Sequence, residues 1–158
     1  VRANFYNPLS QAIVQLTNPP LRPLRRLIPG WGKMDIAALM LAFLLQFLLL
    51  VLLSALQGSN LGLAGLLVLT VAELVDLALN ILLFSVFILV ILSWVSPGGY
   101  NPTAEIFAHL ASPILTPLSR NVPPVAGLDF TPMLAMVLIM IAKMLILPPL
   151  LQLARTVG

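Results

Sequence analysis

Long uninterrupted apolar runs, with neither strict alternation nor a sustained amphipathic period, dominate this chain. No residue between Asp35 and Glu73 carries a charge. The first part of that stretch, 36–56, is 21 residues long, about 31 Å of helix at a 1.5 Å rise and enough to cross a bilayer core. Gln57-Gly58-Ser59-Asn60 breaks the run with turn residues. A second span, 74–95, ends at Trp94-Val95 just before Ser96-Pro97-Gly98-Gly99, and Trp94 suits an interfacial anchor. A third, 131–153, opens at Thr131-Pro132, where proline is favoured in the first turn. Pro148-Pro149 should kink or end it, because neither has an N–H and the carbonyls of Met144 and Leu145 lose their helical partners. Residues 61–72 admit two readings, an extension of the second span into a long tilted helix or a separate segment in the interface. Gly62 and Gly65 are three apart, not the GxxxG spacing, and take no dimerisation role.

Composition narrows the class. Of 158 residues 60% are hydrophobic and 8% charged, with a mean hydropathy of +1.07, whereas soluble domains carry about 25% charged residues. A soluble domain, a disordered chain and a coiled coil are excluded. The fold class expected is all-α integral membrane. The absence of cysteine excludes disulfides, thiolate metal sites, iron–sulfur ligation and a cysteine nucleophile. A single histidine, His109, argues against a multi-histidine metal or haem site. The formal charge of +3 is local, since Arg2, Arg22, Arg25, Arg26 and Lys33 all precede Asp35. Such a cluster beside a span reads as a cytoplasmic loop with anionic headgroups nearby.

An internal repeat organises the chain. Shifted by 94 residues, Tyr6-Asn7-Pro8 falls on Tyr100-Asn101-Pro102, and Pro19, Leu21, Pro23 and Leu24 fall on Pro113, Leu115, Pro117 and Leu118. Arg26 falls on Arg120, Pro29 on Pro123 and Asp35 on Asp129. With Val1/Val95 and Leu16/Leu110 that makes 12 identities over residues 1–35 without a gap, mostly among residue types rare in this chain. The expected architecture is a duplicated helix–loop–helix unit. Repeat 1 is 1–56 (loop 1–35, span 36–56), 57–73 is a connection, and repeat 2 is 74–158 (span 74–95, loop 96–130, span 131–153). Because a span precedes the second loop, the symmetry leads to the expectation of a further membrane helix upstream of Val1 in the natural protein. Complete units would be parallel, with both Pro/Arg loops on the cytoplasmic side.

Each loop is expected to hold a short interfacial helix. Leu9, Ala12, Ile13 and Leu16 recur at helical spacing in the first, Ile106, Phe107 and Leu110 in the second. Asn7 and Asn101 can cap helices that start on Pro8 and Pro102. Pro19-Pro20 and Pro113 should end them, and the spacing Pro19 to Pro23 and Pro113 to Pro117 favours extended backbone. The cluster Arg22-Pro23-Leu24-Arg25-Arg26, with Arg120 in the second loop, reads as a contact for lipid headgroups or for an acidic partner. Without aromatic interleaving it is a poor nucleic-acid footprint. Asp35 and Asp129 each precede a span and should cap it, with a joint role around a central vestibule as the sharper alternative.

Glu73, Asp76 and Asn80 share one helix face, and Lys143 sits inside the last span. Counted from Val95, Asn80 is about 22 Å and Asp76 about 28 Å along the helix; counted from Thr131, Lys143 is about 18 Å along, and its side chain reaches about 6 Å further. The lysine head therefore approaches the level of Asn80 and Asp76. The carboxylates could pair with it if the two helices adjoin, and the readings are a structural pair buried in the bundle, a water-filled ion or proton path lined by Asp76 and Lys143, or snorkelling of Lys143 near the helix end made by Pro148. No catalytic set is found: the serines lack a base, Glu105 and His109 are an i,i+4 helical pair, and Pro97-Gly98-Gly99 is a turn. Nothing calls for a cofactor.

The sequence from Trp94 through Ser96-Pro97-Gly98-Gly99-Tyr100-Asn101-Pro102, then Pro113, Pro117, Arg120, Pro123-Pro124 and Gly127-Leu128-Asp129, resembles the signature of the YggT (YlmG-like) family of small bacterial membrane proteins. The first copy, Tyr6-Asn7-Pro8 through Pro19, Pro23, Arg26, Pro29 and Asp35, resembles it equally well. The resemblance implies two repeats and four membrane helices in all, with the first helix missing here. It also implies a non-enzymatic role in the bacterial inner membrane, since members are linked to osmotic-stress tolerance with cation uptake, to cell division or nucleoid organisation, and in plastids to cytochrome assembly. The expectation is a scaffold or assembly factor that binds lipids and other membrane proteins, or itself, but not nucleic acid. A small ion channel or transporter component is the alternative.

Overall fold

The computed structural model describes residues 7–27, 35–95, 101–121 and 130–158. They form five α-helices: α1 (Pro8–Leu27), α2 (Ile36–Gln57), α3 (Leu63–Val95), α4 (Pro102–Asn121) and α5 (Thr131–Val157). Three of them, α2, α3 and α5, are long and apolar enough to cross a membrane. The reason is in the chain: in hydrocarbon every backbone N–H and C=O must be bonded within the segment, and an uninterrupted apolar helix satisfies that condition. α1 and α4 are each 20 residues long, and their first and last residues stand 94 apart, the shift of the sequence repeat.

The helix ends follow from local chemistry. Asp35 accepts from the Ala38 N–H at 3.1 Å and so caps α2. Gly58, with φ 65°, ends α2 in the left-handed region and turns its N–H onto the Ser54 carbonyl; glycine enters that region without a Cβ penalty. Ser59 N–H reaches the same carbonyl at 3.1 Å. α3 begins only five residues later and runs through as one helix of 33 residues. Of the two readings open for 61–72, the structure takes the continuous helix. At about 50 Å it exceeds a hydrocarbon core of about 30 Å, so it must tilt or reach beyond it. Its buried hydroxyls bond within the helix, Thr70 to the Leu66 carbonyl at 2.7 Å and Ser85 to that of Ile81 at 2.6 Å.

The prolines do not act as the sequence led us to expect. α1 contains Pro19, Pro20 and Pro23, α4 contains Pro113 and Pro117, and α5 runs on past Pro148 and Pro149 to Val157. Neither loop helix is short, and the backbone between the paired prolines is helical rather than extended. All seven prolines lie on exposed positions. At these exposed positions water or headgroups could reach the orphaned carbonyls. One orphan has an internal replacement: Pro113 cannot donate to the His109 carbonyl, and the Ser112 hydroxyl does so at 2.8 Å. Pro148 is about 26 Å along α5 from Thr131, near the far boundary of a core about 30 Å thick, so the interruption falls where polar partners return.

Two compact units are found, Val1–Val14 with Ala78–Met144, and Gln15–Leu77 with Leu145–Gly158. In the first, Val86, Ala111, Ala135 and Ile139 form a buried cluster flanked by Leu79, Leu82, Leu83, Ile114, Leu115 and Leu118; α4 thus packs on α3 and α5, and Phe107 meets Phe84 edge to face at 5.9 Å. In the second, the start of α3 closes on the end of α5. A Cβ on Gly65 would lie 2.7 Å from both the Ala154 carbonyl oxygen and the Gly158 Cα. Gly65 therefore has a close-packing role within the chain, which the spacing argument about Gly62 and Gly65 did not reach.

Gly65→Ala is expected to lower stability. The overpacking costs about 1–3 kcal/mol, against about 1 kcal/mol gained by replacing a helical glycine. Thermal unfolding in detergent should fall for Gly65→Ala and stay unchanged or rise for Gly62→Ala, whose Cβ would have 3.5 Å of clearance.

Candidate functional site

The polar residues at the loop ends of the helices are the candidate site, and each is placed first by helix capping. Asn7 accepts from the Leu9 N–H at 3.0 Å and Asn101 from the Thr103 N–H at 2.9 Å, with Pro8 and Pro102 as the first helical residues. Both caps are as the sequence predicts. Asn7 does more. It is buried to 1% exposure, and its Nδ2 donates to the Pro102 carbonyl at 2.7 Å and to Glu105 Oε2 at 3.4 Å. One asparagine of the repeated motif thus ties the start of α1 to the start of α4. Glu105 Oε1 also faces His109 Nε2 at 4.0 Å, the i,i+4 neighbour the sequence indicates. The link from Asn7 to α4 was missed because it joins residues 95 apart; the only sequence signal was the repeated Tyr-Asn-Pro itself.

In the second unit the basic cluster divides. Arg25 Nη2 donates to Asp35 Oδ2 at 2.5 Å, Nε to the same oxygen at 3.1 Å, and Nη1 to Asn18 Oδ1 at 3.3 Å. The Arg25 guanidinium, with the Ala38 N–H behind it, holds the Asp35 carboxyl below its usual value. Arg25 is thus paired within the chain while its side chain stays 48% exposed. Arg22, Arg26 and Arg120 are exposed. Arg26 and Arg120 are repeat partners, whereas the position matching Arg25 is Ser119, so repetition gave no hint of the Arg25–Asp35 pair.

Of the intramembrane polar residues, Lys143 donates from Nζ to Asn80 Oδ1. The depth arithmetic thus identifies a contact that forms. The bond gives a lysine inside an apolar span a polar partner. Asn80 lies beside two apolar crevices, one lined by Leu83, Phe84, Phe87 and Met136, the other by Ile81, Phe84, Ser85, Phe107 and Leu110. Asp76 is half-buried and Glu73 exposed on the preceding turns of α3. Pro19, Pro23, Pro113 and Pro117 lie inside helices. Tyr6, Pro29, Tyr100, Pro123 and the expected cap Asp129 lie outside the described residues.

Two predictions follow from this geometry. Asn7→Ala should cost about 1–2 kcal/mol, because it removes a cap and the bond that ties it to the Pro102 carbonyl, while Asn101→Ala should cost about 1 kcal/mol for the cap alone. Asn7→Asp keeps the cap yet sets a carboxylate against Glu105, so chemical denaturation near neutral pH should place it no higher than Asn7→Ala. The Asp35 pair adds a pH dependence. Its carboxyl is lowered on folding, so its contribution is present above the usual value of 3.8 and is lost as pH falls through the lowered one. With side chains 48% and 39% exposed the effect stays below about 1 kcal/mol, and Arg25→Gln should abolish that part of the acid titration.

Comparison with known proteins places the chain. A family model described as CCB3/YggT matches residues 2–56 and 68–150. An uncharacterised protein of Pseudomonas aeruginosa is 43% identical over 149 residues, covering 93% of this chain and 76% of that protein. An uncharacterised Vibrio alginolyticus protein from the proC 3′ region is 39% identical over 133 residues, covering 82% and 71%. The uncharacterised protein YggT of Escherichia coli K12 is 36% identical over 144 residues, covering 89% and 73%. No solved structure matches. The matched segments take in both capping asparagines, the basic cluster, Asp35 and the Lys143–Asn80 pair, and the chain belongs to the CCB3/YggT family.

Proposed function

We propose that this chain is a non-enzymatic scaffold or assembly factor of a bacterial inner membrane, binding other membrane proteins through its apolar spans and its Pro/Arg loops, with those loops on the cytoplasmic side. The observation that carries the reading is how little of each span the chain covers for itself. In the most apolar 18-residue stretch of α2, α3 and α5 only 11% is buried within the chain. Large side chains point outward throughout, among them Leu45 and Leu52 of α2, Phe84 of α3 and Met144 of α5. Lipid or another membrane protein must cover them. The repeated, unusual residues fall in segments 1–35 and 96–130, several of them in α1 and α4, while the spans are composed mostly of plain Leu, Ile and Val. On this reading α1 and α4 are stiff elements at the membrane surface, and the duplication presents two of them on one side.

The Lys143–Asn80 bond in apolar surroundings favours a second reading, a small ion channel or transporter component. One preparation tests both. Crosslinking in the native membrane followed by purification should recover a stoichiometric membrane-protein partner, and a lone chain would count against the scaffold. Cation flux after reconstitution should stay at background; flux that falls with Lys143→Leu would favour the channel instead.

A further inference from the structure

α1 carries an exposed apolar stripe. Leu9, Ile13 and Leu16 are 44%, 53% and 80% exposed, and at 100° per residue they fall within about 60° of one another around the helix. Exposed Pro20 and Pro23 continue the stripe. One flank faces inward: Ser10 and Leu21, about 90–110° round from the stripe, are buried, and Arg25 beyond them is bonded to Asp35. Arg26, about 110° round from the centre of the stripe, borders it on the other side, and Arg22 lies about 40° further round; both are exposed. α4 uses the equivalent positions differently. Phe107 and Leu110 are half-buried, and Phe107 packs on Phe84.

The level of α1 is set by its basic end. Arg25 holds Asp35 at 2.5 Å, and Asp35 caps α2, whose apolar length begins at Ile36. The last turns of α1 are therefore fixed at the point where α2 enters the bilayer. That is the headgroup layer, where arginine meets phosphate and a neighbouring apolar stripe meets the acyl boundary.

We propose that α1 lies in the lipid interface and binds anionic phospholipid, with Leu9, Ile13 and Leu16 in the acyl boundary and Arg22 and Arg26 on headgroup phosphates. The inference needs α2 to span the membrane and does not depend on the scaffold reading. The Pro19-Pro20-x-x-Pro23 segment fits the same placement, since its orphaned carbonyls face a layer rich in water and ammonium or hydroxyl groups. The stripe supplies insertion and the two arginines supply selectivity for negative lipid.

The chain contains no cysteine, so single nitroxides can be attached at Ile13→Cys and Gln11→Cys in the full chain, reconstituted in phosphatidylcholine with phosphatidylglycerol. The label at position 13 should collide more with oxygen than with an aqueous nickel reagent, and the label at 11 the reverse. Arg22→Gln with Arg26→Gln should reduce the preference for phosphatidylglycerol over phosphatidylcholine by roughly 30-fold, with helicity unchanged by circular dichroism, and lysine at both positions should restore it. Water accessibility at 13 equal to that at 11, or an unchanged lipid preference in the double variant, overturns the proposal. So does a label at 13 shielded from both reagents, which identifies a protein occupant.

Discussion

A backbone amide in hydrocarbon finds no water, and the whole chain is shaped by the need to bond every such group internally. The three long helices meet that need along their length, where the Thr70 and Ser85 hydroxyls also bond carbonyls four residues back, and the ends of α2 are closed by Asp35 on the Ala38 N–H and Gly58 on the Ser54 carbonyl. The same requirement sets where the exceptions can stand. The prolines that break the bonding ladder are in α1, in α4 and near the far end of α5, all on exposed positions. A ladder gap at the centre of a lipid-facing span would cost several kcal/mol per orphaned group; at the boundaries it costs far less.

Within that frame the specific contacts are few, and each ties a polar side chain to a distant backbone or charge. Asn7 joins the starts of α1 and α4, Arg25 joins α1 to the cap of α2, and Lys143 joins α5 to Asn80 of α3. An apolar replacement at Asn7, Arg25 or Lys143 would remove these bonds. By contrast the outward surfaces of α2, α3 and α5 are chemically uniform, and lipid covers them as readily as protein does. Specificity in this chain therefore resides in the polar ties and the two loop helices.

The two loop helices share a length and a register in the repeat, yet they diverge in what they touch. α4 turns Ile106 and Ala111 inward and seats Phe107 on Phe84, becoming part of a packed core. α1 keeps its apolar stripe on the outside and pins its basic end to the entry of α2. Substitutions at matched positions account for the difference: Arg25 against Ser119 supplies the pair to Asp35, and Leu9 against Thr103 supplies the start of the stripe. Two helices matched in sequence thus differ, α4 in internal packing and α1 in an exposed stripe.

The sequence by itself located the three helices long and apolar enough to cross a membrane, because the length of an apolar run is a local property that neighbours cannot override. It also determined the caps at Asn7, Asn101 and Asp35, which act within three residues of themselves. It located Asn80 and Lys143 at a common depth, because rise per residue is fixed. Only the tertiary structure decided that α1 and α4 continue through their prolines, since the cost of a broken ladder depends on what surrounds the orphaned carbonyls. The structure alone also decided that Asn7 reaches Pro102, that Arg25 turns to Asp35, and that Gly65 admits the end of α5. Each of these is a meeting of residues remote in the chain, and spacing along a helix carries no information about which neighbour it will face.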